Sequence, residues 1–419
     1  MAPMLQNLSR YIQDGNGAFI SGGILWWGDL VNVPRSDPLA HLRMIDGSPG
    51  LAFYHVCFAL SVLIEHVPLH LPDIQTAETY FTRARKLIGD PSITNHALAD
   101  VPALTLMAFY LIEVNRRDLA AKYVGLAALA ASAHGAHRSA DNEARKREFW
   151  TLFILDRWIS MLMGRPPTIM EESIRLQPPA DDPNDPNNVR MPPCAGLYAN
   201  VELARVSGYV VQEVYRVAPR TPKRADEVNA DEALRRLHDW LARLPAEFQL
   251  ELYPDLPRRD PPCCTMHMSY NQLIILTTRR IFFDAIKEVI ELAQQRSNSS
   301  SCLRRKTHEK YIRVCIEAAQ RNVVLAAQMH STPGRWLQSS LHFLFNAAVI
   351  LLLDRISSAY DERAKTDKAA RGLHREEITF AIDVFRKEAE TGTNYQADCC
   401  KVLQDLQALS GRCLNTQRE

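Results

Sequence analysis

From Leu51 onward the apolar residues recur at three- and four-residue intervals, and the breaks between segments are Pro, Gly or clusters of Asp and Asn. The clearest series is Leu119, Tyr123, Leu126, Ala130 and Ala133, which predicts an amphipathic helix over Asp118 to His134. Its many alanines, among them Ala120, Ala121, Ala127, Ala128 and Ala131, keep that helix narrow, so neighbours can approach it on several sides. The following segment, from Ala144 through Phe149, Trp150, Leu152, Phe153, Ile154, Leu155, Trp158, Ile159, Leu162 and Met163, is apolar on all faces and predicts a helix buried on most sides. Gly164 suits a left-handed cap there, and Pro166 and Pro167 forbid continuation.

Further along, the prolines and aspartates of Pro178 to Pro186 predict a loop near 178–193. Leu234, Leu237, Leu241 and Leu244 mark a helix that stops before Pro245, a long helix is expected over Met268 to Gln295, and Ile312, Ile316, Ala319, Val323 and Ala326 mark another. The serines and basic triplet of 296–306 predict a mobile loop. Residues 1–38 mix Gly, Asn and Pro with exposed-looking aromatics such as Trp26 and Trp27, and are expected to be loosely organised. Strand alternation is nearly absent. The fold class expected is all-α, one large multi-helix domain in two layered portions joined across the loop near 178–193.

Composition narrows the function classes. Lys and Arg total 49 against 48 Asp and Glu, a net charge of +1, so no global basic surface is available to hold nucleic acid. Hydrophobic residues are 47% of the 419, with six Trp, 13 Tyr and 14 Phe, ample for a large core. The nine cysteines follow no small-domain spacing, which suits buried thiols in a reducing compartment. No secretory signal is evident, because Ala18 to Val31 is interrupted by Ser21, Gly22, Gly23 and Asp29. The most apolar run, Phe343 to Leu353, is short of the ~20 residues of a membrane span. A soluble intracellular protein with no membrane partner is expected.

Candidate chemistry is sparse. G-x-S-x-G, H-E-x-x-H, the P-loop pattern and G-x-G-x-x-G are all absent, and no catalytic residue, cofactor site or metal site is assigned. His66 and His70 flank Pro68, which breaks their face, while His134 and His137 straddle Gly135 at a helix end, where a histidine can complement terminal carbonyls. Asp181-Asp182-Pro183-Asn184-Asp185 has the DDxxD form of helical terpenoid synthases, the alternative function from the enzyme class, yet Pro179, Pro183 and Pro186 prevent the helix that would align those carboxylates on magnesium. Arg304, Arg305, Lys306 and Lys310, or Lys223 and Arg224, form short basic runs of the kind that serve nuclear import or simply solvate a loop. Asp156 and Arg157 lie in an otherwise apolar helix, so each needs a partner. Since adjacent helical residues do not normally face each other, Arg165 is the partner expected for Asp156.

The segment Arg145-Lys146-Arg147-Glu148-Phe149-Trp150-Thr151-Leu152-Phe153-Ile154-Leu155-Asp156-Arg157-Trp158-Ile159-Ser160, with Gly164-Arg165-Pro166-Pro167-Thr168-Ile169, resembles the signature of the fungal transcription factor regulatory domain, also called the middle homology region. The likeness runs back through Tyr80 to Arg85, Tyr110-Leu111, Ala120 to Gly125 and Gly135 to Arg138, and forward through Leu244 to Phe248 and Met266 to Leu276. It covers roughly residues 39–409 in order, leaving 1–38 as an N-terminal segment and 410–419 as a C-terminal tail. Arg147, Phe149, Trp150, Asp156, Arg157, Gly164, Arg165 and Pro166 carry the signature.

The resemblance implies a nuclear, all-helical regulator of RNA polymerase II transcription, attached to a DNA-binding zinc cluster and in some members responsive to a small metabolite. The zinc module needs two C-x2-C pairs, and no C-x2-C occurs in this sequence; Cys263-Cys264 and Cys399-Cys400 are adjacent and cannot replace them. Zinc is therefore expected only with an N-terminal cluster missing from this sequence, and DNA only through such a module or a partner that carries one. A scaffold that pairs with a zinc-cluster protein, as homo- or heterodimer, is the other reading. A small-molecule effector would need an apolar cavity beside Phe149, Trp150, Phe153 and Trp158; the simpler reading of those aromatics is core.

Overall fold

The computed structural model describes residues 4, 5, 8, 19–28, 48–65, 76–89, 95–181, 191–215, 223–251, 255, 259–295, 301–330, 336–359, 374–391 and 394–416. Among the described residues the elements include twelve α-helices: α1 (Ser48–Glu65), α2 (Ala77–Ile88), α3 (Val101–Glu113), α4 (Arg117–Ala133), α5 (Glu143–Met163), α6 (Ala195–Tyr209), α7 (Lys223–Ala242), α8 (Pro261–Gln295), α9 (Ser301–Met329), α10 (Gln338–Ala359), α11 (Arg375–Thr391) and α12 (Asn394–Thr416). Single turns of 3-10 helix stand at Leu98–Asp100, Glu171–Ser173 and Ala246–Phe248, and a π-helical turn, Val210–Val214, prolongs α6. No strand occurs among the described residues, so the expected all-α class is the class observed.

The chain forms two compact units, the first from Met1–Ala218, Asp239–Met266 and Thr332–Gln338, the second from Pro219–His238, His267–Ser331 and Ser339–Glu419. The division does not fall at 178–193, because the whole of Met1–Ala218 belongs to one unit.

In the first unit α1 packs on α2 and α3, α3 on α4, and α5 on α3, α4 and α6. The local reasons are plain in the sequence. Thr76 caps α2 by accepting the Thr79 amide at 3.2 Å, and Tyr80, Phe81, Ala84 and Ile88 put one apolar face inward. α3 is buried along nearly its whole length. The alanines of α4 let it approach both neighbours: Ala120, Ala127, Ala128, Ala130 and Ala131 are all buried. Across these helices Phe81 stacks on Tyr110 with ring centroids 4.6 Å apart.

The described part of 1–38 departs from the loose organisation expected. Trp26 and Trp27 are 6% and 2% exposed, and Met4, Leu5 and Leu8 are buried as well. Residues 19–28 run through the first unit as a strap: Ser21 donates its amide and hydroxyl to Asp260 at 2.8 and 2.9 Å, Gly196 donates to the Ser21 carbonyl, and Asn200 reaches the Ile24 carbonyl at 2.9 Å. Thr151 accepts the Trp26 amide at 2.8 Å, and Trp27 lies 4.8 Å from the Phe109 ring. Backbone groups that a strand would pair are met here by side chains, which is why the strap shows no hydrophobic period.

Two other expectations change. α9 begins at Ser301, so residues 301–306 are helical rather than part of a loop, while 296–300 lie outside the described residues. α12 runs to Thr416 with Ser410 fully buried, so the helix continues past 409 instead of giving way to a tail there. α8 also begins earlier than the 268 expected, at Pro261, a residue type tolerated in a first turn.

In the second unit α11 packs on α9 and α12. Asp231 of α7 accepts hydrogen bonds from Lys310 and Tyr311 of α9 at 2.7 and 2.9 Å. Asn271 donates to Asn322 at 3.1 Å in the interior, tying α8 to α9. His374 adopts a left-handed φ of 56° ahead of α11 and binds Asp354 at 3.1 Å. By length and composition Gln338–Ser358 could cross a membrane, but 61% of that stretch is buried within the protein, and its Asn346 bonds His342 at 3.1 Å, so it reads as a core helix.

Among the described cysteines seven are buried and Cys413 is partly exposed. Burial pushes the thiols of Cys57, Cys263 and Cys264 far up, that of Cys315 to about 12, and that of Cys194 to about 11, the last with help from the Asp181 carboxylate. The folded state therefore holds protons that an unfolded thiol, with its ordinary value of 9.0, releases first. This contribution to stability is complete below pH 9.0 and is lost as pH rises through about 11 for Cys194. The urea midpoint is expected to fall between those pH values. At pH 8, Ellman's reagent should label Cys413 while the buried seven wait for unfolding; prompt labelling of Cys57 would show a core that opens readily.

Candidate functional site

The signature segment is α5 together with the chain that returns along it. Asn142 caps the helix by accepting the Arg145 amide at 2.9 Å, and Gly164 ends it at φ 62°, ψ 32°, the left-handed cap its position predicts. Pro166 then turns the chain away, and residues Thr168 and Ile169 come back against the helix.

What holds them there is the pair Asp156 and Arg157, 0% and 2% exposed. Asp156 accepts the Thr168 amide at 2.9 Å and the Ile169 amide at 3.0 Å. Arg157 donates to Asp156 at 2.7 Å and to the Ile169 carbonyl at 2.8 Å. Its guanidinium lies 4.3 Å from the Phe153 ring centroid, and its side chain occupies the space left by Gly208 on α6, where an added Cβ would stand 3.0 Å from Nε. The expected Asp156 to Arg165 pair is therefore not formed. Arg165 reaches Asp118 at 3.2 Å in an exposed contact instead. The rule against adjacent pairs fails here because the short Asp156 and the long Arg157 side chain converge on one backbone segment, Thr168 to Ile169, which lies beyond the helix rather than on its surface.

A second clamp sits about two and a half helix turns before the first. Arg147, 1% exposed, donates to Glu143 at 3.4 Å, to the Pro192 carbonyl at 2.7 Å and to Asp181 at 3.1 Å. Glu143 also accepts the Ala180 amide at 3.0 Å, and Asp181 the Cys194 amide at 3.0 Å, just ahead of α6. Both ends of the proline-rich stretch are thus fastened to α5. Asp182 to Asp185 lie outside the described residues; the one DDxxD carboxylate on view, Asp181, is engaged by a buried arginine. Replacing Arg147 by Met should cost about 2 kcal/mol, since Glu143 keeps Lys146 and Asp181 keeps solvent while the Pro192 carbonyl loses its donor. A loss measured by urea denaturation below the experimental error would show that the clamp holds nothing in place.

Phe149, Trp150 and Phe153 are buried against one another, with ring centroids 5.7 and 5.3 Å apart in sequence, and Trp150 donates to the Gln177 carbonyl at 2.8 Å. Arg205 lies over the Trp150 ring at 5.4 Å. These aromatics are core side chains. His134 follows α4 as its cap residue, and His137 accepts from Arg138 at 3.1 Å; His66 and His70 lie outside the described residues. Among the described residues no three His, Cys, Asp or Glu side chains group as metal ligands. Sequence reasoning missed the strap and its anchor Asp260; the signal it offered was the pair Gly22-Gly23, and in the structure Gly22 lies against Pro193 while Gly196 lies against Gly23 and Ser21.

Fold and site together define a helical domain whose distinctive residues fasten loops to a buried helix. Residues 48–242 match the fungal specific transcription factor domain, a span that contains the signature segment. Its curated relatives include an uncharacterized transcriptional regulatory protein of Schizosaccharomyces pombe, 24% identical over 333 residues that cover 75% of this chain and 40% of the relative. The thiamine repressible genes regulatory protein of the same yeast is 26% identical over 60% of this chain and 32% of its own length. The activator of stress genes protein 1 of Candida albicans is 22% identical over 80% and 36% respectively. The chain thus spans well under half the length of these relatives. No solved structure matches.

Proposed function

We propose that this chain regulates RNA polymerase II transcription in the nucleus as a non-enzymatic helical regulatory domain, and that DNA is read by a zinc-cluster module outside these 419 residues. The observation that carries the reading is the domain match over residues 48–242, supported by relatives named as transcriptional regulators. Zinc in this account belongs to the DNA-reading module, in cis or on a partner. The near-neutral charge of +1 fits a domain that does not hold DNA itself. The test is fluorescence anisotropy of the purified 419-residue chain on promoter DNA across a salt series. Weak, sequence-indifferent binding that vanishes by physiological salt is expected. Tight, sequence-specific binding would place the DNA reader inside the chain and overturn that part of the proposal.

A further inference from the structure

In the first unit α2 turns Tyr80, Phe81, Ala84 and Ile88 inward and leaves Arg83, Arg85 and Lys86 exposed on its outer side. Two more exposed cations flank it: Arg116 ahead of α4, and Lys122 next to the buried Tyr123. The rings beneath them show how close the charges stand. Phe81 stacks on Tyr110 and meets the edge of Tyr123 with centroids 6.4 Å apart. Burial and the Glu78 carboxylate push the Tyr110 hydroxyl up to about 12 against the opposing Arg116, and Arg85 opposes the rise that burial gives Tyr123. No carboxylate among the described residues forms an ion pair with Arg83, Arg85, Lys86, Arg116 or Lys122, and Asp118 is taken by Arg165. The carbonyl end of α2 offsets only about half an elementary charge of Arg85 and Lys86, so the patch stays positive.

We propose that this face of α2, with Arg116 and Lys122, rests on the phosphate backbone of duplex DNA without reading its bases. The occupant follows from what the patch contains. Protein interfaces are built around buried aromatic or aliphatic anchors, and none of the exposed large apolar side chains of the first unit, Ile20, Leu129, Met170 and Tyr198, lies on α2. Arginine and lysine with a half-exposed threonine, Thr82, between them are the donors that phosphate oxygens accept from. On a chain of net charge +1 such a patch is too small to hold DNA unaided at physiological salt. A module that already holds the DNA raises the local concentration, and weak phosphate contacts then count. The proposal deepens the regulatory reading and rests on it for that tethering, while the patch itself is tested on the untethered chain.

Fluorescence anisotropy of the 419-residue chain on a labelled random-sequence duplex, between about 20 and 150 mM salt, tests it, with far-UV circular dichroism confirming that each variant stays helical. R83E/K86E should weaken the low-salt affinity about tenfold or more and lower the slope of log affinity against log salt by about two. K387E/K401E makes the same charge change at two exposed lysines of α11 and α12 that hold no ion pair, and should stay within about twofold of wild type. Equal losses in the two variants would reduce the effect to net charge and overturn the proposal. So would a chain that ignores the duplex at the lowest salt yet binds a labelled polyglutamate peptide through Arg83 and Lys86, which would make the partner an acidic protein. Weak binding untouched by R83E/K86E overturns the patch alone and leaves the regulatory reading standing.

Discussion

Asp156→Ala is expected to destabilise the first unit by about 4 kcal/mol, the largest effect of any single substitution in the signature segment. The carboxylate is fully buried, and its removal strands three donors at once: the Thr168 amide, the Ile169 amide and one arm of Arg157. Losing neutral hydrogen bonds costs about 1 kcal/mol each, but a guanidinium 2% exposed without its counter-charge costs several times that. Burial already pulls Arg157 below the usual arginine range, and Asp156 is the first of the charges that oppose this. Arg157→Met, which removes the charge that would be stranded while leaving Asp156 its two amides, is expected to be milder. Urea denaturation followed by tryptophan fluorescence reads both. A loss for Asp156→Ala no larger than that for Arg157→Met would mean that the pair is not a coupled clamp.

Gly22→Ala comes next, at about 3 kcal/mol. Gly22 has φ +68°, and a Cβ there would fall 1.9 Å from the Pro193 carbonyl oxygen, a backbone atom held by its neighbours' contacts to Arg147 and Asp181. Neither segment can retreat cheaply, since Gly196, three residues past Pro193, also packs closely on the strap, its would-be Cβ 2.5 Å from the Gly23 oxygen. The expected signature is loss of strap docking, seen as faster hydrogen exchange at the Trp26 amide, which Thr151 protects. Unchanged exchange there with an unchanged midpoint would show that the strap is not anchored.

The helices and their stops were legible because they rest on local rules. The face of α4, the all-round burial of α5 and the Gly164 cap follow from spacing and from residues that can do only a few things. The strap was not legible, because its order comes from Asp260, Thr151 and Asn200, residues distant in sequence that satisfy an irregular backbone. Trp26 and Trp27 lacked a period to reveal their burial. The partner of Asp156 was misjudged for a related reason: the rule used describes a helix surface, whereas the contact is made to the chain that returns past Pro166. Serine and arginine content misled at 301–306, where α9 has already begun. The family likeness was legible in the signature, while the contacts of its residues needed the structure, in which Arg147, Trp150, Asp156 and Arg157 fasten loops to α5.

The central claim is that the folded helical domain itself adjusts transcription once something else brings it to DNA. Fusing the full 419-residue chain to an unrelated DNA-binding domain, and measuring a reporter with the matching operator in a fungal nucleus, tests this most directly. The account predicts a severalfold change in output, up or down, relative to the DNA-binding domain alone, lost with Asp156→Ala at equal protein level. A well-folded fusion that occupies the operator and leaves the reporter unchanged would contradict it.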